Sequence, residues 1–170
     1  VLDPHITKEG LNDICDASKH FQFSGLCTNL IRLSEARKQL GKSSHTKLIA
    51  VIAFPFGSIP SAIKRNQAEY AINQGADELE VVPNYYALAQ GNTNLFAEEL
   101  AELCELEVPV RAVLDVSNLP AKRLSLTIEA SIEAGVCSLQ SGNGFGPGVS
   151  SRQIKQLSEL IKGRCALKAV

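Results

Sequence analysis

The chain has 170 residues, 45% of them hydrophobic and 21% charged, with a net charge of −1 at pH 7. That is the composition of a globular chain able to bury a core in one domain without a metal or disulfide staple. There is no basic excess for nucleic acid, no apolar run near the ~20 residues of a membrane helix, and no charged-then-apolar leader in VLDPHITKEG. The expected setting is cytoplasmic, with no membrane and no nucleic-acid partner. There is no methionine even at position 1, so the chain is expected to begin downstream of the original N-terminus.

Residues 7–20 predict a helix with Thr7 as N-cap and Leu11, Ile14, Cys15 and Ser18 on one face. A short apolar strand is expected at 23–28, then a helix over 30–40 closed by Gly41. Residues 47–54 (KLIAVIAF) form a nearly continuous apolar strand, as in parallel sheets buried on both faces. A helix over 61–74 stops at Gly75, and ELEVV at 78–82 is the next strand. Helix 95–106, strand 108–116 and a helix over 121–134 ending at Gly135 follow. Strand 136–140, a helix over 150–161 closed near Gly163, and a last strand at 164–170 complete the chain.

Strand starts recur about every 25–30 residues, the length of one βα unit. Strict alternation predicts an α/β fold with a parallel sheet. No GxGxxG or GxxxxGK[ST] turn supports a doubly wound sheet. A (β/α)₈ barrel needs eight strands and typically ~250 residues, so six strands suggest a barrel lacking its first strand and everything after the seventh.

The five cysteines, Cys15, Cys27, Cys104, Cys137 and Cys165, show no CxxC pair and no cluster with histidine, so zinc is not expected. Most lie in apolar runs and read as small buried residues in a reducing compartment.

In a barrel, chemistry belongs at the C-terminal ends of the strands. The sequence puts Cys27 to Asn29, residues 54–57, Glu80, Asp115, residues 140–144 and Lys168 there. A lysine among apolar neighbours is desolvated, which frees its amine for a Schiff base, and a nearby carboxylate can move protons. The plainer alternative is that Lys168 is a solvated group and that Glu80 pairs with Arg111 or Lys168 inside the barrel.

Several stretches carry a family likeness at consistent spacing. VIAFPFGS resembles G-F-P-x-G, and AINQGADELEVVPNYYALAQGN resembles A-I-x-x-G-A-D-E-[VI]-D-[VM]-V followed by A-L-x-x-G. AVLDVSNL resembles V-I-I-E-T-x-x-L, AGVCSLQSGNGFGPG resembles A-G-A-D-F-[IV]-K-T-S-T-G-F-G-x-G-G, and ALKAV resembles the start of V-K-A-S-G-G. The opening stretch, ending in LCTN, resembles the family's first helix and its Cys-x-Asn strand end. The chain thus resembles the deoxyribose-phosphate aldolases, which are class I aldolase barrels.

The resemblance implies a (β/α)₈ TIM barrel with strands two to seven visible. Residues 1–170 would be a single barrel domain lacking the first strand and the eighth βα unit. It also implies the family reaction, cleavage of 2-deoxy-D-ribose 5-phosphate to glyceraldehyde 3-phosphate and acetaldehyde, a step of deoxyribonucleotide catabolism, with neither metal nor cofactor.

The departures bear on catalysis. The family's Schiff-base lysine, in K-T-S-T-G, aligns with Gln140, whose amide nitrogen is not a nucleophile. The proton-shuttling Asp aligns with Glu80, one methylene longer, and the acid of I-E-T aligns with Asp115, one shorter. The second active-site lysine aligns with Lys168 and is kept. The resemblance makes Cys27, Asn29, Ser141, Asn143 and Gly144 candidate ligand-binding residues. The family's phosphate site draws on loops outside residues 1–170; part could survive at Asn143, Gly144 and the helix after Gly148.

Three readings follow. One is a homologue that has lost the standard activity and serves as a binding or assembly protein. Another is an aldolase or lyase using Lys168 as the amine and Glu80 as the acid/base. The third is different chemistry in the same polar pocket. The expected ligand is a small phosphorylated sugar or an aldehyde. Open barrel edges would invite a homo-oligomer, a protein partner, or further chain that closes them.

Overall fold

A computed structural model describes residues 1–170, the side chain of residue 121 excepted. Its elements run α1 (Lys8–His20), β1 (Gly25–Thr28), α2 (Leu33–Leu40), β2 (Lys47–Ile52), α3 (Ser61–Asn73), β3 (Glu78–Val81) and α4 (Tyr85–Ala89). They continue with α5 (Thr93–Cys104), β4 (Val110–Val113), α6 (Ala121–Glu133), β5 (Ser138–Gln140), α7 (Ser151–Ile161) and β6 (Ala166–Lys168). All six strands are parallel and lie side by side in chain order. This is the α/β fold expected from the alternation.

The sheet curls into a half-barrel. β3 and β6 are three strands apart, about 14 Å in a flat sheet at ~4.8 Å per strand. Yet Lys168 Nζ on β6 lies 2.6 Å from Glu80 Oε1 on β3. Contact across that separation requires the sheet to bend around its inner face, as in an incomplete (β/α)₈ barrel.

Alternation along each strand sorts side chains to two faces. Leu48, Ile52, Leu79, Val81, Leu114 and Leu139 point outward into the helical layer and are fully buried. Burial of each such side chain stabilises by roughly 1.5–3 kcal/mol. The opposite parity, read through the register, puts Cys27, Val51, Glu80, Arg111, Gln140 and Lys168 on the inner face.

Local chemistry sets the element ends. The Thr7 hydroxyl accepts from Gly10 N at 3.1 Å and starts α1. Ser150 and Gln153 form a reciprocal capping box at α7. Gly41, at φ +86°, ends α2. Gly57, at φ +68°, packs where any Cβ would collide with the Val82 and Pro83 carbonyls, which lets the exits of β2 and β3 lie against each other.

The structure departs from the sequence expectations in several places. Strands are shorter than their apolar runs, because pairing ends before the run does; β2 stops at Ile52, and Ala53 adopts φ +56°. The helix expected over 30–40 opens as a 3₁₀ turn, Leu30–Arg32. Helix α7 closes near Gly163 as expected, with left-handed Lys162 as its C-cap. Ile14 stays 36% exposed on the face expected to be buried. Helix α4 was not expected; five residues carry too little periodicity, and its cap is the Asn84 side chain accepting from Ala87 N at 3.0 Å.

The cysteine expectation is corrected too. Only Cys15 is buried, Cys27, Cys104 and Cys165 are half-buried, and Cys137 is exposed. Cys137 and Cys165 stand just before β5 and β6, and Cys104 ends α5, so an apolar run alone does not bury them.

Behind the sheet, Lys64 of α3 is fully buried. Its Nζ lies 2.7 Å from Glu99 Oε1 of α5 and 3.1 Å from the Val82 carbonyl. Ser61 Oγ donates to the other Glu99 oxygen at 2.5 Å. Among the described residues, no helix is long and apolar enough to cross a membrane.

Candidate active site

The inner face gathers one carboxylate and three donors. Glu80 is 3% exposed. Its Oε1 accepts from Lys168 Nζ and from Arg111 Nη1, each at 2.6 Å. Its Oε2 accepts from Cys27 Sγ at 3.3 Å. Arg111 also donates to Ser138 Oγ at 3.2 Å and lies 3.5 Å from Glu78 Oε2.

Burial by itself would raise the Glu80 carboxyl. The hydrogen bond and charge of Lys168, the Cys27 thiol and the Arg111 guanidinium outweigh it, so the pKa is held below the ordinary value. Glu80 is an acceptor at neutral pH, not a proton donor. Burial first, then the Glu80 charge and hydrogen bond, push the Cys27 thiol up to about 12. Cys27 is thus a protonated donor, not a thiolate nucleophile.

Gln140 lies on the same inner face, 5% exposed, in register with Lys168. Its Nε2 donates to the Gly142 carbonyl at 2.8 Å, and its Oε1 is buried without a donor. Lys168 reaches past it to Glu80, with 40% of its side chain exposed.

The other candidates lie outside this cluster. β4 ends at Val113, and Asp115 opens a turn in which its carbonyl accepts from Asn118 N and Leu119 N. The Asp115 carboxylate is held by Asn118 Nδ2 at 2.9 and 3.1 Å on the rim. Ser141 is fully buried, and its hydroxyl is bonded to both backbone groups of Val170. Asn143 Nδ2 donates to the Pro55 carbonyl at 2.8 Å, while its Oδ1 accepts from Phe145 N. Gly144 sits in that loop at φ +79°. Asn29 Oδ1, at the end of β1, is buried without a donor.

Two features escaped the sequence reading. Arg111 was weighed only as a pairing partner, although it alternates in phase with Val113 and so shares the inner face with Glu80. The contact across the mouth is the other: Phe145 packs edge-on against Phe54 at 5.5 Å and Phe56 at 6.2 Å. Nothing in the sequence pattern pairs loops 88 residues apart, the separation of Asn143 and Pro55.

No family model matches the chain. A deoxyribose-phosphate aldolase of Microcystis aeruginosa is 34% identical over 170 residues, covering 99% of this chain and 75% of that protein. The deoxyribose-phosphate aldolase of Thermosynechococcus vestitus is 29% identical over 169 residues, covering 99% and 77%. Among solved structures, an aldolase designated QR15 superposes with a TM-score of 0.93 at 24% identity, covering 99% of this chain and 76% of that one. The deoxyribose phosphate aldolase of Aeropyrum pernix, described as a tetramer, superposes with a TM-score of 0.86 at 25% identity, covering 99% and 73%.

Proposed function

This chain belongs to the deoxyribose-phosphate aldolase family, and from that membership we propose a small-carbonyl-binding homologue in which imine-dependent cleavage of 2-deoxy-D-ribose 5-phosphate is absent or very weak. The observation that carries this reading is Gln140. It occupies the inner end of β5 beside Lys168, where the resemblance puts the Schiff-base lysine, and its amide is bonded to Gly142. An amide nitrogen is delocalised into its own carbonyl and does not attack another. Class I aldolases owe their rate to the covalent electron sink, and no acid/base pair in the layer replaces it.

In this reading residues 1–170 are strands two to seven of one barrel domain. A bound carbonyl would replace part of the Lys168 contact to Glu80, with the Cys27 thiol and Arg111 holding the carboxylate in place. Asn29 would offer the ligand an acceptor. Ser141, Asn143 and Gly144 would act through loop shape, since the two side chains already have partners. Asp115 would face the ligand only from the rim.

The test is borohydride trapping with 2-deoxyribose 5-phosphate, read by intact mass. No adduct and no acetaldehyde release are expected. Gln140→Lys should form an adduct at position 140, with incomplete recovery of turnover because Ser141, Gly142 and Asn143 also differ from the family loop. One observation favours a second reading, in which Lys168 is the amine and Glu80 the acid/base: Lys168 Nζ is inward, accessible and 2.6 Å from Glu80. An adduct on Lys168 with aldehyde release, both lost in Lys168→Leu, would replace the first reading with this one.

A further inference from the structure

We propose that Cys137 and Cys165 form a reversible disulfide, with a small-molecule disulfide as its oxidant, at the end of the sheet opposite Glu80 and Lys168. This site lies outside the proposed function and does not depend on it. Cys137 stands just before β5 and Cys165 just before β6. The hydrogen-bonded ladder already runs through Cys137: its N donates to the Val110 carbonyl at 2.9 Å, and its carbonyl accepts from Ala166 N at 3.1 Å. The β5–β6 register pairs Ser138 with Ala166. Carried one residue back, that register sets Cys137 beside Cys165. Neighbouring strands lie about 4.8 Å apart. That spacing falls inside the roughly 4.4–6.8 Å between Cα atoms that a disulfide spans.

Both side chains leave the same face of the sheet. Leu139 and Leu167 are register partners, and Cys137 and Cys165 each precede one of them by two positions. Parity along a strand turns both cysteines toward the helical layer, as it does Leu139. Cys137 is exposed and Cys165 half-buried. The Cys137 thiol donates to the Val110 carbonyl at 3.2 Å. Rotation about its Cα–Cβ bond, open to an exposed side chain, swings the sulfur from β4 to β6. Cys104 is a third thiol at this end, and its sulfur would lie 3.8 Å from a Cβ at Gly135. The charge of Cys137 bears on Cys104 and Cys165 alike, so the three form one cluster. Cys104 ends helix α5, however, so no strand register sets its backbone beside Cys137.

The oxidation is a two-electron thiol–disulfide exchange. The Cys137 thiolate attacks one sulfur of a small disulfide RS–SR, forms a mixed disulfide with it and releases RS⁻. The Cys165 thiolate then attacks the Cys137 sulfur, forms the protein disulfide and releases the second RS⁻. The two thiol protons end on the leaving thiolates, so one RS–SR becomes two RSH. Exposure makes Cys137 the entry point. Burial raises its thiol, and the Arg111 guanidinium opposes that rise. The bridge encloses α7 and ties together the two strands that carry Gln140 and Lys168.

The experiment incubates the chain with glutathione disulfide at pH 8.5, then locates its disulfides by alkylation and peptide mass mapping. Two of the five thiols should be lost, with Cys137 and Cys165 in one cross-linked peptide pair, and dithiothreitol should restore both. Cys165→Ser, checked by circular dichroism, should stop at a glutathione mixed disulfide on Cys137. Cys137→Ser, at an exposed position, should leave Cys165 unbridged. A Cys104–Cys137 bridge, a link between two chains, or a mixed disulfide that persists on Cys137 in the unsubstituted chain would overturn the inference. Retention of all five thiols would overturn it too.

Discussion

Glu80 organises the inner face through its two oxygens. Oε1 serves two cations and Oε2 serves a thiol, so the Cys27 and Glu80 titrations are linked. Burial and the Glu80 charge push the Cys27 thiol up to about 12, so it stays protonated at pH 8. Iodoacetamide at pH 8, followed by peptide mass mapping, should label exposed Cys137 well before Cys27. Glu80→Gln removes the charge and the charged acceptor but leaves the burial. The Cys27 pKa then falls and its labelling speeds up, most visibly between pH 9 and 10. An unchanged Cys27 rate in a folded Glu80→Gln variant would show that burial alone sets the thiol. The pairing of Glu80 with Arg111 or Lys168 was legible from its place in GADELEVV. Which face Arg111 takes was not, because a strand apolar on both faces does not declare which face turns inward.

At the scale of elements, the Lys64–Glu99 pair ties α3 and α5 to the exit of β3. The side chains are 0% and 1% exposed. Burial lowers the Lys64 pKa, against the opposing hydrogen bond and charge of Glu99. Removing one partner of such a pair leaves an uncompensated charge, at a cost of about 3–5 kcal/mol. Lys64→Met is expected to lose that much in urea unfolding. Lys64→Met with Glu99→Leu should recover most of it, since apolar replacement of a whole buried pair is often neutral or stabilising. A double variant no more stable than the single would mean that the Val82 and Ser61 hydrogen bonds, not the pairing, carry the effect. A lysine and a glutamate 35 positions apart on two helices look like two solvated residues until the helices are packed.

At the scale of the molecule, β1 and β6 each pair with one strand, leaving the outer edge of each without a strand partner among the described residues. Unpaired strand edges favour association. Residues 1–170 expressed alone are therefore expected to give a light-scattering mass above that of the monomer. A clean monomer at tens of micromolar would count against edge-driven association. Lys168 lies on one of these outer strands, so covering that edge should also lower its exposure and restrict access to Glu80.

The order, type and approximate limits of the strands and main helices followed from the sequence alone. Apolar periodicity and glycine or capping signals are local, and strict alternation in chain order leaves a parallel sheet as the economical arrangement. The family likeness was also legible, because aligned motifs need no coordinates. The tertiary structure alone decided what those residues meet. Curling the sheet brings Lys168 across three strands to Glu80, while the turn after β4 leaves Asp115 on the rim. Contacts such as Asn143 to Pro55 or Lys64 to Glu99 depend on how distant segments are brought together, and no local pattern in the chain encodes that distance.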